Sequence, residues 1–184
     1  MPVTQLDERA ALIVIDLQKG ITGLPMLHPA GEIVARAAVL ARAFRSKGLP
    51  VVLVNVVAVA PGRTGTVRPK YAFPPDWAEL DPALGRQPED LLVNKQRVGA
   101  FIGTNLDELL RERGVTQVFL AGISTSAGVE STGRSAYDHG YNVAFVVDAM
   151  TDRDADSHEH SVEKVFPRIG ETDTTENVLR LLEG

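Results

Sequence analysis

The 184-residue chain contains no cysteine, which excludes disulfide bonds and any catalysis by a thiol. It also lacks an excess of positive charge, because 24 acidic and 19 basic residues give it a net charge of −5. A general nucleic-acid binder would show a basic face, so we expect no nucleic-acid partner. No apolar run approaches the ~20 residues needed to cross a bilayer, and the N-terminus lacks the basic and apolar regions of a signal peptide. We therefore expect no membrane partner and a cytoplasmic location.

The composition is otherwise that of a globular protein, with 44% hydrophobic and 23% charged residues. A chain of this length most simply forms one domain, so we predict a single domain over residues 1–184. Apolar runs that predict buried strands alternate with amphipathic stretches that predict helices. The predicted strands lie at 11–15, 51–57, 91–93, 116–121 and 141–147, with a short edge strand near Ile169.

Alternation of strands and helices indicates right-handed crossovers and a parallel sheet. The predicted fold is therefore α/β, with three α/β/α layers: an open, mostly parallel sheet of five to six strands with helices on both faces, as in Rossmann-like proteins.

Acidic residues near two predicted helix starts have the spacing of capping residues. Thr104 with Asp107 predicts one start, and Asp156 predicts the next. The acidic residues from Asp152 onward also have the spacing of a calcium loop, but Ser157 stands where that loop requires glycine. We therefore predict capping rather than calcium binding for this segment.

Three candidate functional groups each follow a predicted strand: Asp16, Lys95 and the small polar residues at 124–128. In open α/β sheets, ligands bind beyond the carboxyl ends of the strands. Asp16 can act as a general acid or base, although an aspartate there can also cap a loop. Lys95 can hold Asp16 ionised or stabilise negative charge, although most lysines are solvated. The turn aims backbone N–H groups and the positive end of a helix at the same edge, where anions are stabilised.

The residues after the fourth strand resemble the signature turn of the isochorismatase-like hydrolases, also called the cysteine hydrolase superfamily. Members typically read Gly, an apolar residue, a small residue, Thr, Asp, any residue, Cys and Val. The same positions here are Gly122, Ile123, Ser124, Thr125, Ser126, Ala127, Gly128 and Val129. Gly128 stands at the position of the family's cysteine nucleophile, so cysteine-dependent amide hydrolysis is excluded.

The resemblance also implies roles for residues outside the turn. Asp16 corresponds to the family's catalytic aspartate, and Lys95 corresponds to the catalytic lysine because Gly-Ala-Phe follows it at 99–101. The catalytic positions that we predict are Asp16, Lys95 and Gly128. The substrate-binding residues that we predict are Gln18, Val98, Phe101, Ile123, Ser124 and Thr125. In the family, Phe101 would wall the pocket and the peptide bond between Ile123 and Ser124 would be cis.

Family members without the cysteine, the isochorismatases proper, hydrolyse a vinyl ether with no covalent intermediate. Their aspartate protonates the enol-ether carbon, and water adds to the oxocarbenium ion. We therefore predict a hydrolase of a small organic molecule that uses Asp16 and Lys95, with vinyl-ether hydrolysis favoured. Val98 replaces a tyrosine that would help to bind a ring carboxylate, which weakens the case for isochorismate itself. The alternatives are an amide or ester hydrolase in which Asp16 activates water, and a catalytically silent, oligomeric small-molecule-binding protein.

Two other kinds of chemistry find little support in the sequence. A serine nucleophile at Ser124 would need a histidine base, and the sequence pairs none of the four histidines with it. Some relatives hold a metal through aspartate and histidine after the second strand, but residues 54–69 contain neither. We predict no metal and no other cofactor.

Residues 58–90 form a long excursion that carries cations and aromatic residues, namely Arg63, Arg68, Lys70, Tyr71 and Trp77. These cations could meet a carboxylate-bearing substrate, or the excursion could be solvated or pack on a second subunit. The signature helix is rich in small residues, which permit close helix approach, and members of the family commonly pair subunits near this helix. We therefore predict a homo-oligomer, either a dimer or a tetramer.

Overall fold

The computed structural model describes residues 1–65 and 73–184 and contains six strands. These are β1 (Ala10–Ile15), β2 (Val51–Val56), β3 (Leu91–Lys95), β4 (Gln117–Ile123), β5 (Asn142–Thr151) and β6 (Glu171–Asp173). They form one parallel sheet in the order β3-β2-β1-β4-β5-β6. The predicted parallel α/β sheet is confirmed, and its strand order is that of Rossmann-like folds.

The helices cover both faces of the sheet. They are α1 (Lys19–Thr22), α2 (Ala30–Ser46), α3 (Leu106–Glu112), α4 (Glu130–Asp138), α5 (Ala155–His160), α6 (Phe166–Ile169) and α7 (Thr175–Glu183). Buried residues of α2 and α7 share one core cluster, and those of α3, α4 and α6 share the other. Among the described residues, no helix is both long enough and apolar enough to span a membrane.

The central strand β1 explains why the sheet needs two covered faces. All six of its residues are buried. Leu12 and Val14 belong to the core cluster under α2, whereas Ile13 and Ile15 belong to the cluster under α4. A continuous apolar run is the expected pattern for a strand packed on both sides, so the sequence predicts this strand within one residue.

The strand order reverses at β1, which has β2 on one side and β4 on the other. Gly122 pairs with Ile15 at the ends of these two strands. Its φ of +123° lies in the region that favours glycine, and a Cβ there would overlap the backbone of Ile15. This glycine therefore lets β4 turn away sharply and opens the crevice in which ligands of such folds bind.

Strand β5 is longer than predicted. The prediction ends it at 147, but it continues to Thr151 through an irregularity opposite β4. Leu120 pairs with Phe145, whereas Gly122 pairs with Met150, so extra residues of β5 loop out between the two pairs. Because β5 runs parallel to β4 and Thr151 pairs with Ile123, the residues after β5 reach the same edge of the sheet as those after β4.

Smaller differences concern strand and helix boundaries. The edge strand expected near Ile169 is β6, which begins two residues later. The Oδ1 atom of Asp154 caps α5 by accepting the N–H of Ser157 at 2.9 Å, so the predicted cap at Asp156 is wrong by two residues.

Only half of the predicted capping box at 104–107 forms: Oγ1 of Thr104 accepts the N–H of Leu106 at 3.2 Å at the start of α3, but Asp107 has other partners. Its Oδ1 accepts the hydroxyl of Tyr141 at 2.6 Å and the Nε–H of Arg111 at 3.2 Å. These contacts tie α3 to the start of β5, a long-range use of the carboxylate that local spacing does not reveal.

Candidate active site

Asp16 and Lys95 meet beyond the carboxyl ends of β1 and β3. The Nζ atom of Lys95 lies 2.7 Å from Oδ2 of Asp16, and the residues are only 2% and 5% exposed, respectively. Asp16 has a φ of +53°, so the chain leaves β1 in a left-handed conformation that aspartate tolerates better than most residues. The two residues form a buried ion pair, and the alternative of a solvated Lys95 is wrong.

Two backbone carbonyls complete the surroundings of the Lys95 ammonium. Its Nζ donates to the carbonyl oxygens of Val98 at 2.9 Å and Arg97 at 3.2 Å. An ammonium has three protons, and here each has an acceptor when the Asp16 carboxylate is included. The loop after β3 therefore fixes Lys95 as a positioned charge.

The two oxygens of the Asp16 carboxyl group have different surroundings. Oδ2 pairs with Lys95, whereas Oδ1 is buried and has no hydrogen-bond partner among the described residues. Burial raises the pKa of Asp16 to about 6, although the ion pair and hydrogen bond to Lys95 act in the opposite direction. A free, buried oxygen on a carboxyl group that titrates near neutrality is suited to proton transfer.

Gly128 lies directly beside this carboxyl group. A Cβ at position 128 would lie 3.3 Å from Oδ2 of Asp16 and 3.0 Å from Cγ2 of Ile15. Position 128 therefore adjoins the ion pair, as the resemblance implies for the nucleophile position. The spacing is tight, so glycine lets the turn approach β1 closely.

The turn itself, residues 124–128, presents free donors. The Ile123–Ser124 peptide bond is cis, as the resemblance implies. A π-helical segment, Thr125–Val129, then leads into α4. Among residues 1–65 and 73–184, no acceptor meets the backbone N–H of Ser124 or of Thr125. These two groups are available to an anionic or carbonyl oxygen of a ligand.

The side chain of Gln18 is held by main-chain groups of the protein. Its side chain is fully buried, and Nε2 donates to the carbonyl oxygens of Val56 and Trp77, both at 3.0 Å. Its Oε1 accepts the N–H of Val56 at 2.8 Å. The amide therefore fastens the excursion to β2, and the predicted contact of Gln18 with substrate stays a prediction.

Phe101 packs against rings distant in sequence, and its predicted role as a wall of the pocket stays a prediction. Its ring stacks on His139 at a centroid distance of 5.1 Å and contacts Tyr141 at 6.0 Å. Tyr141 precedes β5, so these rings lie near the opposite edge of the sheet from Asp16. Two other residues predicted to bind substrate also have defined surroundings. The carbonyl oxygen of Val98 accepts a hydrogen bond from Lys95, and the Val98 side chain is exposed. The side chain of Ile123 is buried in the core.

Sequence reasoning missed the side chains behind the turn. Oδ2 of Asp152 accepts both the N–H and the hydroxyl of Ser126 at 2.7 Å. Oγ1 of Thr125 lies 2.9 Å from Nδ1 of His158. Asp152 follows β5 as Asp16 follows β1. This position would have marked Asp152 as a candidate site residue, but the bulge in β5 prevented us from predicting where that strand ends.

The described part of the excursion closes over the segment after Asp16. Lys19 forms an ion pair with Glu79 at 2.6 Å, and Phe73 stacks on Trp77 with a centroid distance of 4.0 Å. Trp77 in turn occupies the space that a side chain at Gly20 would need. Arg63 is exposed, while Arg68, Lys70 and Tyr71 lie outside the described residues.

Comparison with known proteins agrees with this geometry. Residues 10–177 match the model of the isochorismatase domain. The chain is 40% identical over 181 residues to the isochorismatase family protein YecD of Escherichia coli O157:H7, covering 94% of this chain and 95% of that protein. It is 30% identical over 186 residues to maleamate amidohydrolase of Pseudomonas putida, covering 95% and 87%. A solved isochorismatase family protein from Burkholderia thailandensis superposes with a TM-score of 0.94 at 40% identity, covering 98% of each chain. The chain therefore belongs to the isochorismatase family of hydrolases.

Proposed function

We propose that this protein hydrolyses the vinyl ether of a small organic molecule, with Asp16 as the general acid. The observation that carries the proposal is the asymmetry of the Asp16 carboxyl group. One oxygen is held by Lys95, and the other is buried without a partner among the described residues. Burial raises the pKa of Asp16 to about 6, so a useful fraction of the protonated acid is present near neutral pH.

The reaction needs no nucleophilic side chain. Oδ1 of Asp16 gives its proton to the terminal carbon of the vinyl ether, whose π electrons form the new C–H bond and leave an oxocarbenium ion. Water adds to the cationic carbon, and its proton returns to Asp16. The resulting hemiketal breaks its C–O bond to give a ketone and an alcohol. A side chain at position 128 has no role in these steps.

Lys95 and the turn supply the electrostatic surroundings for this chemistry. Lys95 stabilises the Asp16 carboxylate that forms when the proton leaves, since the two groups already pair at 2.7 Å. The N–H groups of Ser124 and Thr125 bind an anionic oxygen of the substrate and hold its double bond beside Asp16. The substrate class that fits is a small vinyl ether bearing a carboxylate.

Solvent deuterium tests this proposal directly. With isochorismate as the first probe in D2O, we expect pyruvate whose methyl group carries one deuterium, detected by NMR or mass spectrometry. The proton that Asp16 delivers comes from solvent, so protonation of the vinyl carbon places one deuterium on the product carbon. Turnover that leaves the product carbon unlabelled would overturn it.

A second candidate is amide hydrolysis in which Asp16 acts as a base toward water. The observation that favours it is the 30% identity to maleamate amidohydrolase. In that reaction the N–H groups of Ser124 and Thr125 would stabilise the oxyanion formed at the amide carbonyl. A protein that releases ammonia from maleamate and does not hydrolyse a vinyl ether would support this candidate over the first.

A further inference from the structure

Two side chains behind the turn are used by no step of the proposed reaction. Asp152 accepts two hydrogen bonds from Ser126, and His158 lies 2.9 Å from the hydroxyl oxygen of Thr125. Asp152 follows β5, and His158 lies on α5, so one segment of chain supplies both groups. We call these two residues the turn clamp. It holds the side of the turn opposite Asp16.

The Thr125 hydroxyl depends on His158. The Thr125 side chain is fully buried, and a buried hydroxyl requires a hydrogen-bond partner. Among the described residues, Nδ1 of His158 is its only partner. The backbone N–H of Thr125 is one of the free donors, so the contact that fixes this side chain also fixes the donor.

A second histidine restricts the ring of His158. His28 packs edge-on against it with a centroid distance of 5.3 Å. Nδ1 of His28 in turn lies 3.3 Å from Oγ1 of Thr151, at the end of β5. The His28 ring therefore limits the movement of the His158 ring on this side.

The surroundings of His158 favour its neutral form. Burial lowers the pKa of His158, and positive charge on His28 lowers it further. The carboxylates of Asp152, at the end of β5, and of Glu159, on the same helix, raise it in part. Burial and the neighbouring His28 ring therefore both disfavour the protonated form of His158.

We propose that His158 is a positioning residue: its neutral ring anchors Thr125 and so aims the N–H groups of Ser124 and Thr125 into the active site. Protonation of Nδ1 exchanges donor and acceptor in its contact with the Thr125 hydroxyl, so the turn senses the titration of His158. The inference rests on the proposed function for the role of these N–H groups as substrate donors. The coupling between His158 and the turn is measurable without any turnover.

The first test is a double-mutant cycle on Thr125→Val and His158→Phe. Each change removes the hydrogen bond with little change in shape, and we expect each to lower kcat/KM about tenfold, the scale of one neutral hydrogen bond. The double variant should lose no more than either single variant. Thr125→Ser, which keeps the hydroxyl, should restore most of the activity, and His160→Phe on the exposed side of α5 is the matched control. Single variants within twofold of the unaltered protein would overturn the proposal.

The second test follows the unaltered protein by 15N NMR as the pH is lowered. We expect the amide signals of Ser124 and Thr125 to shift together with the titration of the His158 ring, at a pH below the ordinary range for histidine. The Asp16→Asn variant should keep this shift, and His158→Phe should abolish it. Amide signals that do not change as His158 titrates would overturn the proposed role of the turn clamp, even if the enzyme is active. A coupled shift in a protein that hydrolyses no probe would support the clamp and contradict the proposed function instead.

Discussion

Asp16 and Gly128 face each other where β1 ends and the turn begins, so closely that a Cβ on Gly128 would lie 3.3 Å from Oδ2 of Asp16. In this family the residue at position 128 is ordinarily the nucleophile, and here the position offers only hydrogen. The carboxyl group therefore has no side chain beside it to activate. Under the proposed function, the reaction at this site uses the acid, the lysine and the main chain.

The first prediction concerns the Asp16→Asn variant. We expect at least ~100-fold loss of turnover, since a positioned general acid contributes about that much. Asparagine has the same shape and can still accept a hydrogen bond from Lys95, so circular dichroism should show an intact fold. Undiminished turnover in a folded variant would remove Asp16 from the mechanism.

The pH profile separates the two proposed reactions. The pKa of Asp16 is raised to about 6, and a general acid is active while protonated. Vinyl-ether hydrolysis should therefore fall about tenfold per pH unit above this value, whereas a base mechanism should lose activity below it. Measurement of kcat/KM between pH 5 and pH 8, about one pK unit below to two above that value, distinguishes these slopes.

The Gly128→Cys variant tests the relation between the turn and the ion pair. The N-terminal end of the helix and the ammonium of Lys95 both favour a thiolate, so we expect a thiol pKa below the ~8.5 of a free cysteine. Iodoacetamide should then modify this variant faster than a free thiol at neutral pH. The unaltered protein has no cysteine and is the control. Reaction at the rate of a free thiol would show that position 128 does not sense Lys95.

The prediction of a homo-oligomer can be tested at an exposed apolar pair. Val98 and Ile102 are 52% and 57% exposed in the single chain and flank the loop that packs on α4. We expect sedimentation velocity to show a dimer or tetramer at micromolar concentration, and a combined Val98→Glu and Ile102→Glu variant to dissociate it.

The matched control is Leu92→Glu. Leu91 and Val93 pack in the core cluster shared with α4, so Leu92 points to the other face of the sheet. This variant should keep the oligomer. A purely monomeric unaltered protein would contradict the prediction.

The sequence predicted those parts of the site that local pattern determines. A buried run that ends in Asp16 and a small-residue turn after β4 identify the two strand ends that meet at the crevice. Phe101 and Gln18 matched the family by position, but their side chains are committed to neighbours distant in sequence, the ring to Tyr141 and the amide to Val56. His158 was not predicted for the same reason, because its contact with Thr125 joins α5 to a turn that lies 33 residues earlier in the sequence.

The position of Trp77 gives the protein an internal optical reporter. It is the only tryptophan in the chain, and its indole rests on Gly20, four residues beyond Asp16. Tryptophan fluorescence therefore comes from a single place beside Gly20, and we expect it to report how tightly the excursion lies over the segment after Asp16. Compounds that enter the crevice can be screened by the change in emission alone, before any of them is known to react.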